Sequence, residues 1–240
     1  MIKAKASNDM KNTPTIFCAL DTSDLDQAKQ WASEIGPITG GLKLGMEFVN
    51  SFGPQGIEAV QNAAPDAALF IDLKFHDIPN TVAGAVRTTC ARFSPAYLNV
   101  HAAGGSTMMQ AAKDACGKNT KLLAVTILTS LSDDEIGAVG YDRAISDQVI
   151  KMAKLTEASG LDGVVCSSKE IELIRQSCAA NFETMVPGIR PAGSDTGDQK
   201  RIMTPREAAQ LGATNIVIGR PITGASNPAK AAQDIMDTLS

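Results

Sequence analysis

Short apolar runs alternate along this chain with longer segments whose apolar residues recur every three to four positions. The runs are Thr15–Leu20, Gly41–Leu44, Ala68–Leu73, Ala96–Val100, Lys121–Ile127, Gly163–Cys166, Thr184–Val186 and Asn215–Ile218, eight in all. Near-continuous apolar runs are the mark of parallel strands buried on both faces, and the 3.6-residue period is the mark of amphipathic helices. In Pro79–Ala91, residues Val82, Ala85, Val86, Thr89 and Cys90 share one face; in Pro228–Leu239 the face is Ala231, Ala232, Ile235, Met236 and Leu239. Ser132-x-x-Glu135, Ser167-x-x-Glu170 and Thr204-Pro205-x-Glu207 read as capping boxes, and Asn227-Pro228 pairs an N-cap with proline at the first helical position. Strand–helix alternation implies parallel βαβ units, and eight of them predict an α/β chain closed as a (β/α)8 barrel. The alternative is an open doubly wound sheet. The chain has neither Gly-x-Gly-x-x-Gly nor Gly-x-x-x-x-Gly-Lys-Ser/Thr, which removes that fold's usual nucleotide sites.

Length agrees with this reading. At roughly 150 residues per domain, 240 residues allow one large domain or two small ones. No composition break marks a linker, so we expect a polar N-terminal tail over 1–13 and one barrel domain over 14–240.

Polar positions carry the functional information. The segment Asp72-Leu73-Lys74-Phe75-His76-Asp77-Ile78-Pro79-Asn80-Thr81 follows three apolar residues, Leu69, Phe70 and Ile71. Alternate residues of a strand share a face. Asp72 and Lys74 therefore point one way, and Ile71 and Leu73 the other. If the apolar set packs on the outer helices, the charged pair enters the barrel mouth, with Asp77 just beyond. Lys43 lies opposite Leu42 and Leu44 in the same manner, and Asp21 follows Leu20. Asp21, Lys43, Asp72 and Lys74 are thus predicted to converge at the C-terminal rim, where barrel enzymes place their chemistry. Separate bland readings exist: Asp21 could cap a helix starting near Leu25, and an Asp/Lys pair often decorates an edge strand. The flanks here are apolar, so an edge is a poor fit, and a lysine buried there must be paired or lose its charge.

The last two strands add anion-binding groups. Pro187-Gly188-Ile189-Arg190-Pro191 and Gly219-Arg220-Pro221-Ile222 follow the seventh and eighth runs. Loops there frequently hold a phosphate in barrels. Glycine lets backbone N–H groups approach the oxygens, and arginine presents a bidentate fork. The polar stretch from Pro191 to Met203, containing Gln199, reads as a lid or binding loop. His76 and His101 receive no catalytic role, and Trp31 reads as packing on the first helix.

Composition mostly excludes. With 22 basic and 26 acidic residues the net charge is −4, and aromatic residues are 4%. Neither a nucleic-acid coat nor a stacking platform is expected. No apolar run approaches a membrane span, and the N-terminus lacks the apolar segment of a secretory signal. Five widely spaced cysteines without Cys-x-x-Cys suggest reduced thiols and a cytoplasmic protein. Two histidines leave no histidine-rich metal site.

The run Asp-x-Lys-x-x-Asp followed by Ile-Pro-Asn-Thr resembles the signature of the orotidine 5′-phosphate decarboxylase family. Ala19-Leu20-Asp21, Lys43-Leu44-Gly45, Leu128-Thr129-Ser130, Pro187-Gly188-Ile189-Arg190 and Gly219-Arg220-Pro221-Ile222 resemble family segments in order. The resemblance implies a (β/α)8 homodimer that decarboxylates orotidine 5′-phosphate to uridine 5′-phosphate without metal or organic cofactor. It also implies a catalytic network of Lys43, Asp72, Lys74 and Asp77, with Asp77 reaching the partner's site and Ile78 and Thr81 nearby. Asp21 then matches a ribose-hydroxyl contact, and Thr129 or Ser130 a contact to the pyrimidine. Pro187, Arg190, Gln199, Gly219 and Arg220 match the phosphate and lid segments. Two other readings remain. Related sugar-phosphate decarboxylases and aldolases share Asp-x-Lys-x-x-Asp, but need Mg²⁺ and an acidic residue on strand two, where this chain has Lys43. A non-catalytic nucleotide-binding protein on this fold would be expected to have lost one of the four charges.

Overall fold

Each apolar run overlaps a strand, its ends agreeing to within two residues, and the eight strands pair in sequence order into a closed parallel barrel. The computed structural model describes residues 13–141, 144–191 and 203–239. The strands are β1 Thr15–Ala19, β2 Gly40–Gly45, β3 Ala68–Phe75, β4 Tyr97–His101, β5 Lys121–Val125, β6 Gly163–Val165, β7 Glu183–Val186 and β8 Asn215–Ile218. Between and after them run α1 Leu25–Thr39, α2 Met46–Ala63, α3 Pro79–Phe93, α4 Gly105–Ala115, α5 Asp133–Ala138, α6 Ile145–Ala158, α7 Ile171–Ser177, α8 Pro205–Gln210, α9 Arg220–Thr223 and α10 Pro228–Asp237. Closure is made by β1 against β8, with Thr15 beside Asn215 and Cys18 beside Ile218.

Alternation along each strand divides the core in two. Ile16, Cys18, Leu42, Leu44, Ile71, Leu98 and Val100 face outward and pack under the helices. Phe17, Ala19, Phe70, Leu123, Met185 and Val217 fill the barrel interior. Three aromatic rings meet edge-on inside it: the Phe17 and Phe70 centroids are 6.1 Å apart, and Tyr97 lies 5.4 Å from Phe17. Below them, at the N-terminal end, a polar plug closes the barrel. The Tyr97 hydroxyl donates to Glu183 Oε2 at 2.6 Å, Asn215 Nδ2 donates to the same oxygen at 3.2 Å, and the Lys121 ammonium pairs with Glu183 Oε1. The plug and the aromatic layer close the barrel interior from below, so its inner wall opens at the C-terminal rim. Gly163 fits the tight interior: a Cβ there would stand 2.3 Å from the Glu183 carbonyl oxygen, so any side chain would force β6 away from β7.

The helices follow their sequence signals with instructive exceptions. Val82, Val86, Cys90 and Phe93 are the buried stripe of α3, while Ala85 and Thr89 sit half-buried at its edge. In α10, Ala232 and Ile235 are buried, and Ala231, Met236 and Leu239 flank them. Ser132/Glu135 and Thr204/Glu207 form reciprocal capping boxes. Ser167 does not open an α-helix: its side chain accepts from the Lys169 N–H, two residues on, and a 3-10 turn intervenes before α7. Asp24, not Asp21, caps α1, accepting from the Gln27 N–H at 3.0 Å. Trp31 packs against the core from α1. All five cysteines are free, with the Cys90 and Cys116 sulfurs 3.8 Å apart and hydrogen-bonded. No described helix is long and apolar enough to cross a membrane.

Candidate active site

The charged residues of β1, β2 and β3 meet because of strand register. Ala19 lies beside Lys43, Lys43 beside Phe70, and Gly45 beside Asp72. The inward positions therefore climb the barrel wall in order: the apolar layer of Phe17 and Phe70, then Lys43, then Asp72 and Lys74 at the rim. Lys43 Nζ stands 3.2 Å from Asp21 Oδ1 and 3.6 Å from Asp72 Oδ2, and Lys74 Nζ stands 2.7 Å from Asp72 Oδ1. The result is a line of alternating charge, Asp21–Lys43–Asp72–Lys74. Side-chain exposure decides which members are fixed: 11% for Lys43 and 14% for Asp72 against 51% for Asp21. The inner pair is shielded from solvent screening and is held rigidly; Asp21 is open to the solvent side.

Gly45 belongs to this arrangement. A Cβ on it would lie 3.0 Å from Lys43 Nζ and 3.3 Å from Asp21 Oδ1, inside the space the ion pair occupies. Burial alone would raise the Asp72 pKa. The ammonium charges of Lys43 and Lys74, with hydrogen bonds from Lys74 and Asn99, outweigh it and hold the carboxyl below the usual carboxylate range. Asp72 is therefore an anion at neutral pH, although it is almost out of contact with water.

Across the mouth, the loops after β5, β7 and β8 complete a cavity of about 570 Å³. It is lined by Asp21, Lys43, Asp72, Lys74, Thr129, Pro187, Arg190, Gly219 and Arg220, all singled out from the sequence, and also by Ala19, Glu47, Phe70, Val165, Gly188 and Val217. Arg190 is 6% exposed, its Nη1 donates to the Ile189 carbonyl at 3.0 Å, and its N–H donates to the Met203 carbonyl. Ile189 and Met203 also form a parallel bridge, which brings the end of the β7 segment beside the start of the α8 segment. Arg220 is exposed at the mouth, in the turn that follows Gly219.

Some expected residues are not gathered there. Ser130 is exposed and does not line the cavity, while its neighbour Thr129 does. Asp77, Ile78 and Thr81 are exposed and lie off the cavity of their own chain. The cause is local: Asp77 turns its carboxylate onto its own backbone, accepting from the Ile78 N–H at 2.7 Å, and α3 starts at Pro79. Gln199 lies outside the described residues. His101 accepts from the Ala103 N–H through Nδ1 and stacks on His76 with centroids 5.2 Å apart. That pair lines a separate apolar recess of about 250 Å³ with Leu128, Leu131, Val139 and Tyr141.

Two polar residues at the site escaped the sequence reading. Glu47 follows β2 by two residues and lines the cavity. Asn99 touches both Asp72 and Lys74. The alternation argument used on β2 and β3 finds Asn99 equally well, since it stands between Leu98 and Val100.

A family model described as "Orotidine 5'-phosphate decarboxylase / HUMPS family" matches residues 14–235. The chain is 47% identical over 226 residues to an orotidine 5′-phosphate decarboxylase of Rhodospirillum rubrum, covering 91% of both chains. It is 48% identical over 228 residues to that of Pectobacterium atrosepticum, covering 93% of this chain and 91% of the relative. Among solved structures, an orotidine 5′-phosphate decarboxylase from Lactobacillus acidophilus superposes with a TM-score of 0.82 at 35% identity. That match covers 95% of this chain and all of the other.

Proposed function

The chain belongs to the orotidine 5′-phosphate decarboxylase / HUMPS family, and we propose that the cavity at its C-terminal rim is where it converts orotidine 5′-phosphate to uridine 5′-phosphate. The reaction is a carboxy-lyase step of pyrimidine biosynthesis. The observation that carries the assignment to this cavity is the alternating Asp21–Lys43–Asp72–Lys74 array facing Arg220 across a space of nucleotide size.

Loss of CO2 breaks the bond to C6 of the pyrimidine and leaves its electron pair on C6, where resonance helps little. Lys74 supplies the positive charge that this pair needs and then a proton to C6. An ammonium held in place beforehand costs no reorganisation when charge develops. Asp72, kept anionic, lies beside the departing carboxylate. Two like charges ~4 Å apart repel by about 4 kcal/mol at an effective dielectric of 20, and departure of CO2 relieves it. Acceleration in the upper enzymatic range needs about 20 kcal/mol, so repulsion is a minor share and the charge at Lys74 together with remote binding must provide the rest.

The remote binding is assigned to the phosphate. Arg220, Gly219, Pro187 and Arg190 form that end; Gln199, assigned there by the family resemblance, lies outside the described residues. Asp21 takes a ribose hydroxyl and Thr129 the pyrimidine edge, a role its place in the cavity favours over Ser130. Arg220→Ala should lower kcat/KM by about 100-fold, the size of a lost charge-assisted bidentate contact, chiefly through capture of substrate. An unchanged kcat/KM would place the phosphate elsewhere.

The Mg²⁺-dependent sugar-phosphate reading has no observation in its favour. Where those enzymes carry an acid on strand two, Lys43 here sets an ammonium between Asp21 and Asp72. The test is a direct one: loss of the ultraviolet absorbance of orotidine 5′-phosphate with and without EDTA. Turnover that EDTA does not alter is expected; turnover that requires added Mg²⁺ overturns the reading.

The protein works as a homodimer in which Asp77, with Ile78 and Thr81, completes the partner's site. Support comes from the rim. Asp77 is exposed beside Ile78 at 67% exposure, and its other neighbour His76 shares a recess with the exposed Leu128 and Val139. An exposed large apolar side chain directly beside a carboxylate that misses its own cavity is what a two-fold interface would cover. We read 14–240 as one domain and the cytoplasm as the site of action, consistent with five free cysteines; the tail expected over 1–13 lies, but for residue 13, outside the described residues.

A further inference from the structure

One side chain joins the two reacting charges and takes no part in the mechanism above. Asn99 is fully buried in the middle of β4, on the strand face that also carries Tyr97 and His101. Its Oδ1 accepts from the Lys74 backbone N–H at 2.8 Å, and its Nδ2 donates to Asp72 Oδ1 at 2.8 Å. Only one orientation of the amide serves both, because the reverse sets NH2 against N–H and oxygen against carboxylate oxygen.

The backbone around Lys74 explains why such a residue is needed. β3 and β4 are in register at Phe70–Tyr97 and Ile71–Leu98, and register resumes only at Phe75–Val100. Three residues of β3, Asp72 to Lys74, therefore stand opposite Asn99 alone. The strand bulges, which is how strands re-aim a side chain near active sites. Lys74 takes φ +51, a left-handed conformation that residues with side chains rarely adopt. Inside the bulge its N–H is met by the Asn99 side chain in place of a backbone carbonyl. The same amide fixes the rotation of Asp72: Oδ1 receives Asn99 and Lys74, and Oδ2 faces Lys43.

We propose that Asn99 is a positioning residue for decarboxylation, holding the Lys74 backbone and the Asp72 carboxylate in the geometry the reaction uses. It is not among the residues that line the cavity. The proposal rests on the assignment of the reaction to this cavity, but adds a requirement that the assignment does not contain. A misplacement of about 1 Å in a reacting group costs roughly 100-fold in rate. Asn99→Ala is therefore expected to lower kcat by about 100-fold, while KM and the Kd for uridine 5′-phosphate stay within about threefold, because the phosphate and ribose contacts are untouched. A second readout separates positioning from bulk structure. Asp72 is faced by Lys43 from β2, by Lys74 from its own strand and by Asn99 from β4. Removing the Asn99 donor leaves its anion less stabilised, so the acid limb of the kcat–pH profile should move to higher pH.

The experiment measures kcat, KM, uridine 5′-phosphate binding, Tm and the pH profile for the wild type, Asn99→Ala and Asn99→Asp. The aspartate variant keeps the volume and the acceptor toward Lys74, but its carboxylate cannot donate to Asp72, so it should also lose kcat with nucleotide binding retained. The proposal fails if the variants keep kcat within threefold of the wild type. It fails equally if kcat and nucleotide affinity drop together, if the acid limb does not move, or if neither variant folds. A wild type that does not decarboxylate orotidine 5′-phosphate overturns the functional assignment instead, and this is read in the first measurement.

Discussion

Lys74→Ala is expected to lower kcat for orotidine 5′-phosphate by at least about 10⁴-fold, while uridine 5′-phosphate still binds. Two roles disappear together. A preorganised charge at the site of developing charge is worth 10²–10³ and a positioned proton donor 10²–10⁴, so their loss through one side chain comes to at least ~10⁴, or about 5.4 kcal/mol of barrier. Binding should survive, because Arg220, Gly219, Asp21 and Thr129 lie on other strands and loops. Single-turnover assays with equilibrium titration of uridine 5′-phosphate decide the matter. Turnover within tenfold of the wild type would sink the role given to Lys74. Loss of nucleotide binding in proportion to turnover would show instead that the lysine serves capture.

The barrel was legible because its strands are short apolar runs at regular intervals, and every run marks a strand to within two residues at its ends. What the runs concealed was the path of β3 beyond Leu73. Alternation assumes a regular ladder, yet between Ile71 and Phe75 the register shifts and Lys74 turns left-handed. The inward direction of Asp72 and Lys74 follows from parity; the bulge that sets their separation does not, since it depends on a partner on another strand. Asn99 shows the cost of reading charge alone: it is neutral, so a pattern of charges does not include it, although the same parity rule puts it inside the barrel. Asp21 illustrates the reverse case. Capping α1 and pairing with Lys43 were equally compatible with its place after Leu20. Asp24 settles it by taking the cap, leaving the Asp21 carboxylate for the lysine. Ser167 and Glu170 match a capping box in sequence, but a local bond to Lys169 forms a tighter turn first. Asp77 was read from sequence as near the site, and within one chain it lies off the cavity. No local pattern tells whether such a residue serves its own chain or, as proposed above, a second copy.

Mixing two inactive variants should restore activity. Asp77→Ala and Lys74→Ala homodimers are each expected to be nearly inert if both residues serve the reaction. Let their subunits exchange, by co-expression or by unfolding and refolding together. In a heterodimer, the site built on the Asp77→Ala subunit keeps its own Lys74 and receives Asp77 from the Lys74→Ala partner; it is whole. The other site lacks both. At equal amounts half of the dimers are mixed and one site in two is whole in each, so about a quarter of wild-type specific activity is expected for a two-fold dimer. If Asp77 instead served its own chain, every site in the mixture would lack one residue or the other, and activity would remain at the background of the parents. The geometry favours the first outcome. Asp77 is exposed, bonded to the Ile78 N–H and absent from the lining of its own cavity, and the apolar Ile78 beside it needs a cover. The contrast between a quarter and background does not depend on how large either single defect is, provided both are severe. It therefore tests the dimer and the direction of Asp77 in one measurement.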